Sequence, residues 1–189
     1  MNKTQARAIA TQLKSIISYK EKNSDIIQDK VLRSRFYRDA KVIFVYASKS
    51  DEVHTDRIIT TALKEGKRVF VPKCINDREM IAVEIRSLNE LRKGFFRIRE
   101  PESNKEADRN EIDVAIIPCV ACTPDGTRLG HGAGYYDRYL SGSSFTKIAL
   151  CYHGLLLNDI EADAHDIPMD YVVTEFAVYK NPNRADPAD

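Results

Sequence analysis

Apolar residues follow two alternating patterns along the chain. Short runs rich in β-branched and aromatic residues predict strands that are buried on both faces of a sheet. These runs cover 41–47, 67–72, 113–118, 147–152 and 171–174, with an extension of the last through Val178 left open. A less regular run over 80–85 predicts an edge strand. The chain therefore offers several strands to one sheet.

Between these runs, apolar residues recur at the three- and four-residue spacing of amphipathic helices. This spacing predicts helices over 3–20, 24–38 and about 55–65, and a further helix is expected to begin near Tyr135. Asn23 or Ser24 is expected to cap the second helix and Thr55 the third. Ser87 to Glu90 forms a capping box, which predicts a short helix that ends at Gly94.

Alternation of strands with helices indicates βαβ units. We therefore predict an α/β fold, a three-layer sandwich with a mostly parallel central sheet flanked by helices. We expect one domain over 1–180 and a polar tail over 181–189. Ligands of such sheets bind beyond the carboxyl ends of the strands. Segments expected to meet there are 48–52, 72–73, the glycine-rich loop near 130 and 153–154.

Composition narrows the function classes. The formal net charge is +1 and charged residues make up 30% of the chain, which favours neither a nucleic-acid-binding nor a membrane-surface protein. Apolar runs stay well short of the length that a membrane helix needs, and the N-terminus does not resemble a signal peptide. The cysteine usage suits a reducing compartment. We expect a cytoplasmic monomer.

A glycine-rich loop is the most informative segment. Gly130, Gly132 and Gly134 alternate between a predicted strand and a predicted helix. Glycine permits close approach to a ligand, and loop and helix-start N–H groups suit phosphate. Arg128 could bind phosphate oxygens, and Asp137 could hold the accompanying cation. The segment predicts a nucleotide-triphosphate site, although a turn that binds nothing is the alternative.

Two other groups of polar residues have open interpretations. Lys3 and Arg7 lie one helical turn apart. They are either two solvated charges or a basic clamp for phosphates, and the sequence alone favours the solvated charges. Glu52 follows a buried strand and has two interpretations. It is either a carboxylate favoured by the dipole of a helix start, or a carboxylate that binds the ring N–H and amino group of a ligand. Asp166 or Asp170 could share a metal with Asp137.

Cys119 and Cys122 form a C-x-x-C sequence. A redox pair or half of a zinc site is one interpretation. A second C-x-x-C is absent from the sequence, and the pair follows an apolar strand. We favour small buried residues, since free cysteine is among the most buried residue types.

The segment RLGHGAGYYDRYL, after a strand that ends in IIP, closely resembles the signature of the 5-formyltetrahydrofolate cyclo-ligase family, also called methenyltetrahydrofolate synthetases. The resemblance extends from K-x-x-x-R at 3–7, through D-E-V-x-T at 51–55, to Glu175. Cys122, Thr123 and His131 depart from the family pattern beside the predicted cleft.

The resemblance implies the site residues. ATP would be bound by Lys3, Arg7, Arg128, Leu129, Gly130, His131, Gly132, Ala133, Gly134, Tyr135 and Tyr136. The reduced folate would contact Ala47, Glu52, His131, Gly132, Ala133, Gly134 and Tyr135. Mg²⁺ would be held by Asp137 and Asp166, and the catalytic residues would be Arg128 and Tyr135.

The implied reaction is ATP-dependent closure of 5-formyltetrahydrofolate to 5,10-methenyltetrahydrofolate, with release of ADP and phosphate, through a phosphorylated formyl group. Two alternatives remain at this stage. One is another ATP-dependent phosphoryl-transfer enzyme on the same scaffold, because fold does not fix function. The other is a non-catalytic nucleotide-binding module that kept the glycine loop.

Overall fold

The computed structural model describes residues 1–94 and 98–184. Its strands in chain order are β1 (Val42–Val45), β2 (Arg68–Cys74), β3 (Met80–Ile85), β4 (Leu91–Lys93), β5 (Arg99–Pro101), β6 (Val114–Pro118), β7 (Ala121–Cys122), β8 (Arg128–Leu129), β9 (Thr146–Leu150), β10 (Tyr171–Val173) and β11 (Val178–Lys180). Its α-helices are α1 (Lys3–Ile16), α2 (Lys20–Arg33), α3 (Arg35–Asp39), α4 (Asp56–Lys64) and α5 (Tyr135–Leu140).

Seven of these strands form the central sheet, in the order β11-β10-β9-β6-β1-β2-β3. The five inner strands run parallel to one another, whereas β3 and β11 pair antiparallel at the two edges. Every residue of β1 is buried, because the strand has a neighbour on each side and helices over the sheet. The predicted three-layer α/β fold is confirmed.

The strand order places a topological switch point beside β1. From β1 the chain first adds β2 and β3 on one side, and later adds β6, β9, β10 and β11 on the other. The connections that follow β1 and β6 therefore leave the sheet in opposite directions and open a crevice between the two carboxyl ends. Ligands of doubly wound sheets bind in such a crevice.

The predicted helix boundaries are wrong at the α1–α2 junction. Helix α1 ends at Ile16, and α2 begins at Lys20, after Tyr19 in a left-handed conformation with φ of 55°. Ser24 does not cap a helix; it lies buried inside α2, where its hydroxyl hydrogen bonds to Tyr152. Serine is a residue type that favours helix starts, but here the buried hydrogen bond to Tyr152 keeps Ser24 inside the helix.

Three further local predictions also need correction. The capping-box segment makes only one 3-10 turn, Leu88–Glu90, before the chain pairs as β4 with β5. The last strand does not continue from 171 to 178, because the chain turns at Thr174 and returns as β11. The Thr55 hydroxyl donates to the carbonyl of Tyr46 at 2.6 Å and makes no cap bond.

The polar segment after β11 makes specific contacts as far as the structure describes it. Asn181 is buried, and its side-chain amide donates to the carbonyl of Met169 at 3.0 Å. The guanidinium of Arg184 lies 4.7 Å from the ring centroid of Tyr171. Residues 185–189 of the predicted tail lie outside the described residues. Within the described ranges, no helix combines the length and apolarity needed to cross a membrane.

A buried hydrogen-bond network fixes the loop that follows β1. The Tyr152 hydroxyl donates to the carbonyl of Glu52 at 3.0 Å and pairs with the Ser24 hydroxyl at 2.9 Å. Ser24 also accepts the His54 backbone N–H at 3.1 Å. The Tyr46 hydroxyl donates to the next carbonyl, that of Val53, at 2.6 Å. Two tyrosines therefore set the position of the Glu52 backbone.

We expect Tyr152→Phe to lower the free energy of unfolding by about 1–3 kcal/mol, because the Glu52 carbonyl and Ser24 hydroxyl lose a buried partner. Guanidinium denaturation of both proteins measures the difference. Tyr19→Phe is the matched control, since the Tyr19 side chain is exposed. Equal stability of the Tyr152→Phe and Tyr19→Phe variants would contradict the role given to this network.

Candidate active site

A cavity of about 510 Å³ opens at the switch point of the sheet. Its walls include Tyr46 and Ala47, which follow β1, and Pro118 and Cys119, which end β6 and begin the next connection. The glycine loop between β8 and α5 forms another wall. The volume is within the range of sites that bury a small-molecule ligand.

Glycine is required in the loop for two physical reasons. Gly132 and Gly134 have φ of 104° and 70°, conformations that residues with a side chain rarely adopt. Gly130 is needed for space, since a Cβ there would lie 2.9 Å from Nη1 of Arg128. A Cβ at Gly134 would come within 2.8 Å of Nη1 of Arg138. The loop backbone therefore lies directly against arginine side chains.

The Arg128–Asp137 ion pair is the centre of the site. Nη2 of Arg128 lies 2.9 Å from Oδ2 of Asp137, and the arginine side chain is only 3% exposed. The guanidinium also lies 5.5 Å from the ring centroid of Tyr136. Nε of Arg128 is buried, and among the described residues it has no hydrogen-bond partner. Burial raises the pKa of Tyr136 well above its usual value, which keeps this wall of the site uncharged.

Helix α1 supplies a row of basic residues at spacings of four and seven. Nε of Arg7 donates to the Gly130 carbonyl at 3.0 Å, and Lys14 pairs with Asp51 at 2.5 Å. Lys3 contacts Asp163 and Asp166 at the other end of the helix. Lys3 and Arg7 line the cavity and have protein partners there, so they are not two freely solvated charges, and the phosphate clamp stays a prediction.

The structure separates the two candidates for a second metal carboxylate. Asp166 lines the cavity and lies 2.6 Å from Nζ of Lys3. The N–H of the next residue, Ile167, donates to Oδ1 of Asp137 at 3.3 Å, which ties the two acidic segments together. Asp170 instead accepts the Lys147 N–H at 2.6 Å and does not line the described cavity.

Glu52 reaches the cavity as a largely buried carboxylate. The Lys49 backbone N–H donates to its Oε2 at 2.9 Å, and the Lys49 ammonium lies 3.6 Å from Oε1. Burial raises the pKa of Glu52 above its usual value, although both Lys49 contacts act to lower it. A buried carboxylate needs hydrogen-bond donors, and a ligand that displaces water from the cavity could supply them.

Other predicted residues also lie around the cavity. His131 and Ala133 are exposed on the loop, whereas Leu129 is fully buried beneath it. Although the His131 side chain is exposed to water on one side, desolvation by the surrounding cavity wall and the nearby Lys49 ammonium lower its pKa. The Tyr135 hydroxyl donates to the carbonyl of Asn76 at 2.8 Å and so links α5 to the β2–β3 turn.

Of the segments expected at the cleft, 153–154 and Lys73 are absent from the described lining, whereas Pro72 lines the cavity as predicted. His153 packs edge-on against Phe176, and its backbone N–H donates to Glu175 at 2.8 Å. Lys73 donates to the carbonyls of Glu102 and Ser103. Residues 153–154 lie in the 3-10 turn that follows β9. Strand β9 is one place further from the switch point than β6, which explains the distance of this turn from the cavity.

Sequence reasoning missed several lining residues. Tyr46 and Cys119 follow β1 and β6, so the switch-point rule would have found them once the strand order was known. Met80 and Glu100 reach the cavity from β3 and β5. Asp163 lies in an irregular segment. These three have no local sequence signal, because only the folding of distant segments brings them here.

Comparisons with known proteins define the family. The model of the 5-formyltetrahydrofolate cyclo-ligase family matches residues 2–175. The chain is 30% identical to a probable 5-formyltetrahydrofolate cyclo-ligase of Caenorhabditis elegans, over 92% of each chain. It is 31% identical to the 5-formyltetrahydrofolate cyclo-ligase of Mus musculus, over 82% of this chain and 83% of the relative.

Two solved structures of methenyltetrahydrofolate synthetases share the fold of this chain. The 5,10-methenyltetrahydrofolate synthetase of Aquifex aeolicus superposes with a TM-score of 0.83 at 26% identity, over 99% of this chain and 96% of that one. A 5,10-methenyltetrahydrofolate synthetase of Mycoplasma pneumoniae gives a TM-score of 0.74 at 26% identity, over 93% of this chain and 99% of that one.

The fold and the cavity are those of an α/β enzyme with its ligand site at the switch point of the sheet. The chain belongs to the 5-formyltetrahydrofolate cyclo-ligase family. The resemblance seen in the sequence, and with it the prediction of a ligase, is confirmed.

The residues that depart from the family pattern have different positions. His131 is on the cavity wall. Cys122 and Thr123 are buried behind that wall, where the Thr123 N–H donates to the Thr127 carbonyl at 2.9 Å. We therefore expect His131 to affect ligand contacts, and Cys122 and Thr123 to affect the support of the loop.

Proposed function

We propose that this protein converts 5-formyltetrahydrofolate to 5,10-methenyltetrahydrofolate, using ATP and Mg²⁺ and releasing ADP and phosphate. One observation carries the proposal: a single cavity combines a glycine loop held by arginines with the buried carboxylate of Glu52. The first feature suits phosphates, and the second suits the donor edge of a pterin. Membership of the family supports both assignments.

The folate half of the site would be organised by Glu52. A pterin presents a ring N–H and an exocyclic amino group side by side, and a carboxylate can accept both hydrogen bonds. The backbone contacts of Tyr152 and Tyr46 hold the Glu52 loop in place before a ligand arrives. Ala47 leaves room beside the carboxylate, and residues 131–135 would border the same ligand.

The phosphate half would be organised by Arg128 and the loop. Arg128 lines the cavity, where its guanidinium would donate to phosphate oxygens. Arg7, which donates to the Gly130 carbonyl, would hold the loop in the same conformation. Lys3 would add positive charge at the amino end of α1. Leu129 and Tyr136 would give this half a dry wall.

The acidic residues present fit a magnesium ion. Carboxylate oxygens are its preferred protein ligands, and Asp137 and Asp166 both line the cavity. The bond from Ile167 N–H to Asp137 keeps them on adjoining segments. In the structure each carboxylate pairs with a cationic side chain, so this part of the site already favours positive charge. Bound Mg²⁺ would neutralise charge on the transferring phosphoryl group.

The proposed reaction balances in two steps. The formyl oxygen attacks the γ-phosphorus of ATP, and ADP leaves. N10 then attacks the formyl carbon and loses its proton, and the former formyl oxygen departs within inorganic phosphate. Arg128 would stabilise the charge on the phosphoryl group. Tyr135 would orient the formyl oxygen, for which its hydroxyl must exchange the Asn76 carbonyl for the substrate.

An absorbance assay tests the reaction. Purified protein is mixed with 5-formyltetrahydrofolate, Mg²⁺ and ATP, and the near-ultraviolet band of the methenyl product is followed. We expect growth of the band with ATP and none without it. Substrate labelled with ¹⁸O in the formyl group should pass the label to inorganic phosphate. Absence of the band would refute the activity, and unlabelled phosphate would refute only the intermediate.

We expect Asp137→Asn to lower kcat by about 10²–10³, because charge that stabilises the transferring group and its cation is lost while shape is kept. The apparent magnesium requirement should rise in the same variant. Asp159→Asn is the control, since Asp159 pairs only with the exposed N-terminus among its described ion pairs. Circular dichroism checks the fold, and near-normal turnover of Asp137→Asn would remove the metal assignment.

We expect Glu52→Gln to raise KM for the folate by about 10- to 100-fold, the effect of losing charge-assisted hydrogen bonds of about 1.5–3 kcal/mol. KM for ATP should change little. Glu21→Gln, at an exposed position on α2, is the matched control. A parallel loss of ATP affinity would place Glu52 in the nucleotide site instead.

A further inference from the structure

Three cysteines meet next to the cavity, although only two of them are neighbours in sequence. The sulfur atoms of Cys119, Cys122 and Cys151 all lie within 4.8 Å of one another. Cys122 and Cys151 are buried, and Cys119 is half-buried and lines the cavity. The chemistry proposed above uses none of these thiols.

Rigid elements position the cluster. Cys119 and Cys151 immediately follow β6 and β9, which are paired in parallel up to Pro118 and Leu150. Cys122 lies in β7, where it pairs with Arg128, and its carbonyl accepts the Leu157 N–H at 2.8 Å. Backbone pairing therefore holds the main chain of all three cysteines in place, as a preorganised ligand set requires.

We propose that Cys119, Cys122 and Cys151 form a binding site for one soft d¹⁰ metal ion, of the class of Zn²⁺ and Cu⁺. Thiolate sulfur selects these ions over Mg²⁺ and Ca²⁺. A metal–sulfur distance of about 2.3 Å puts sulfurs roughly 4 Å apart, so the cluster has to contract by less than about 1 Å.

The composition of the cluster limits the coordination number. No histidine or carboxylate among the described residues joins the three sulfurs within the same distance. Cu⁺ can therefore bind with three sulfur ligands, whereas Zn²⁺ would take its fourth ligand from the cavity, on the side of Cys119. The same opening gives the ion its path of entry.

The thiols have only weak hydrogen-bond partners in the metal-free protein. The Cys119 thiol donates to the Leu150 carbonyl at 3.2 Å, and the Cys151 thiol donates to the Tyr152 carbonyl at 3.3 Å. Metal binding would replace these weak bonds.

The test is an anaerobic titration of the reduced full-length protein with Cd²⁺, whose bonds to thiolate absorb in the ultraviolet. We expect the band to saturate at one equivalent, to be displaced by Zn²⁺ or Cu⁺, and to persist in excess Mg²⁺.

Cys119→Ser should weaken Cd²⁺ binding by more than about tenfold, since even changes outside a ligand set cost that much. Cys74→Ser is the matched control, because Cys74 also lines the cavity but lies outside the cluster. Cys151→Ser is a second variant, and circular dichroism checks each fold.

Three outcomes would overturn the site: no saturable band in the unmodified protein, an unchanged affinity in folded Cys119→Ser and Cys151→Ser, or an equal loss in Cys74→Ser. The titration needs neither ATP nor folate, so its result is independent of the activity proposed above.

Discussion

The buried ion pair between Arg128 and Asp137 is the constraint on which the site depends. A buried pair of this kind contributes little net stability, because desolvation offsets the attraction, but loss of one partner leaves an uncompensated charge. Its geometry fixes much else. Gly130 has no room for a side chain above the guanidinium, Tyr136 packs over it, and Asp137 receives the Ile167 N–H. The pair thus joins the strand, the loop and the acidic segment.

Helix α1 packs on the other side of the site, with small apolar residues on the face toward the sheet and basic residues on the face toward the cavity. Ala6 and Ala10 are small and buried, which lets the helix approach β7 and β8 closely. Lys3 and Arg7 then reach the acidic segment and the Gly130 carbonyl. The N-terminal residues of the chain and a loop more than a hundred residues later therefore form one polar unit, in which Lys3 pairs with carboxylates and Arg7 with a backbone carbonyl.

The sequence pattern predicted the inner strands correctly but misplaced some helix boundaries. Continuous apolar runs identified the inner strands β1, β2, β6 and β9 because burial on both faces demands such runs, and alternation with helices gave the parallel sheet. The helix boundaries near Ser24 and the segment after Ser87 were wrong. Ser24 serves a buried network with Tyr152, and the residues after Glu90 pair as a strand. Tertiary partners decided both against local preference.

The sequence by itself determined the α/β class and, through the glycine loop and its flanking residues, the family and most of the candidate site. These are properties of local spacing: periodicity, strand length, and glycines between a strand and a helix. Only the tertiary structure decided that Asp166 and not Asp170 faces the cavity, that Lys3 and Arg7 point into it, and that Cys151 joins Cys119 and Cys122. The physical reason is that strand order and helix packing bring together residues that are far apart in the chain, and no local sequence pattern encodes these contacts.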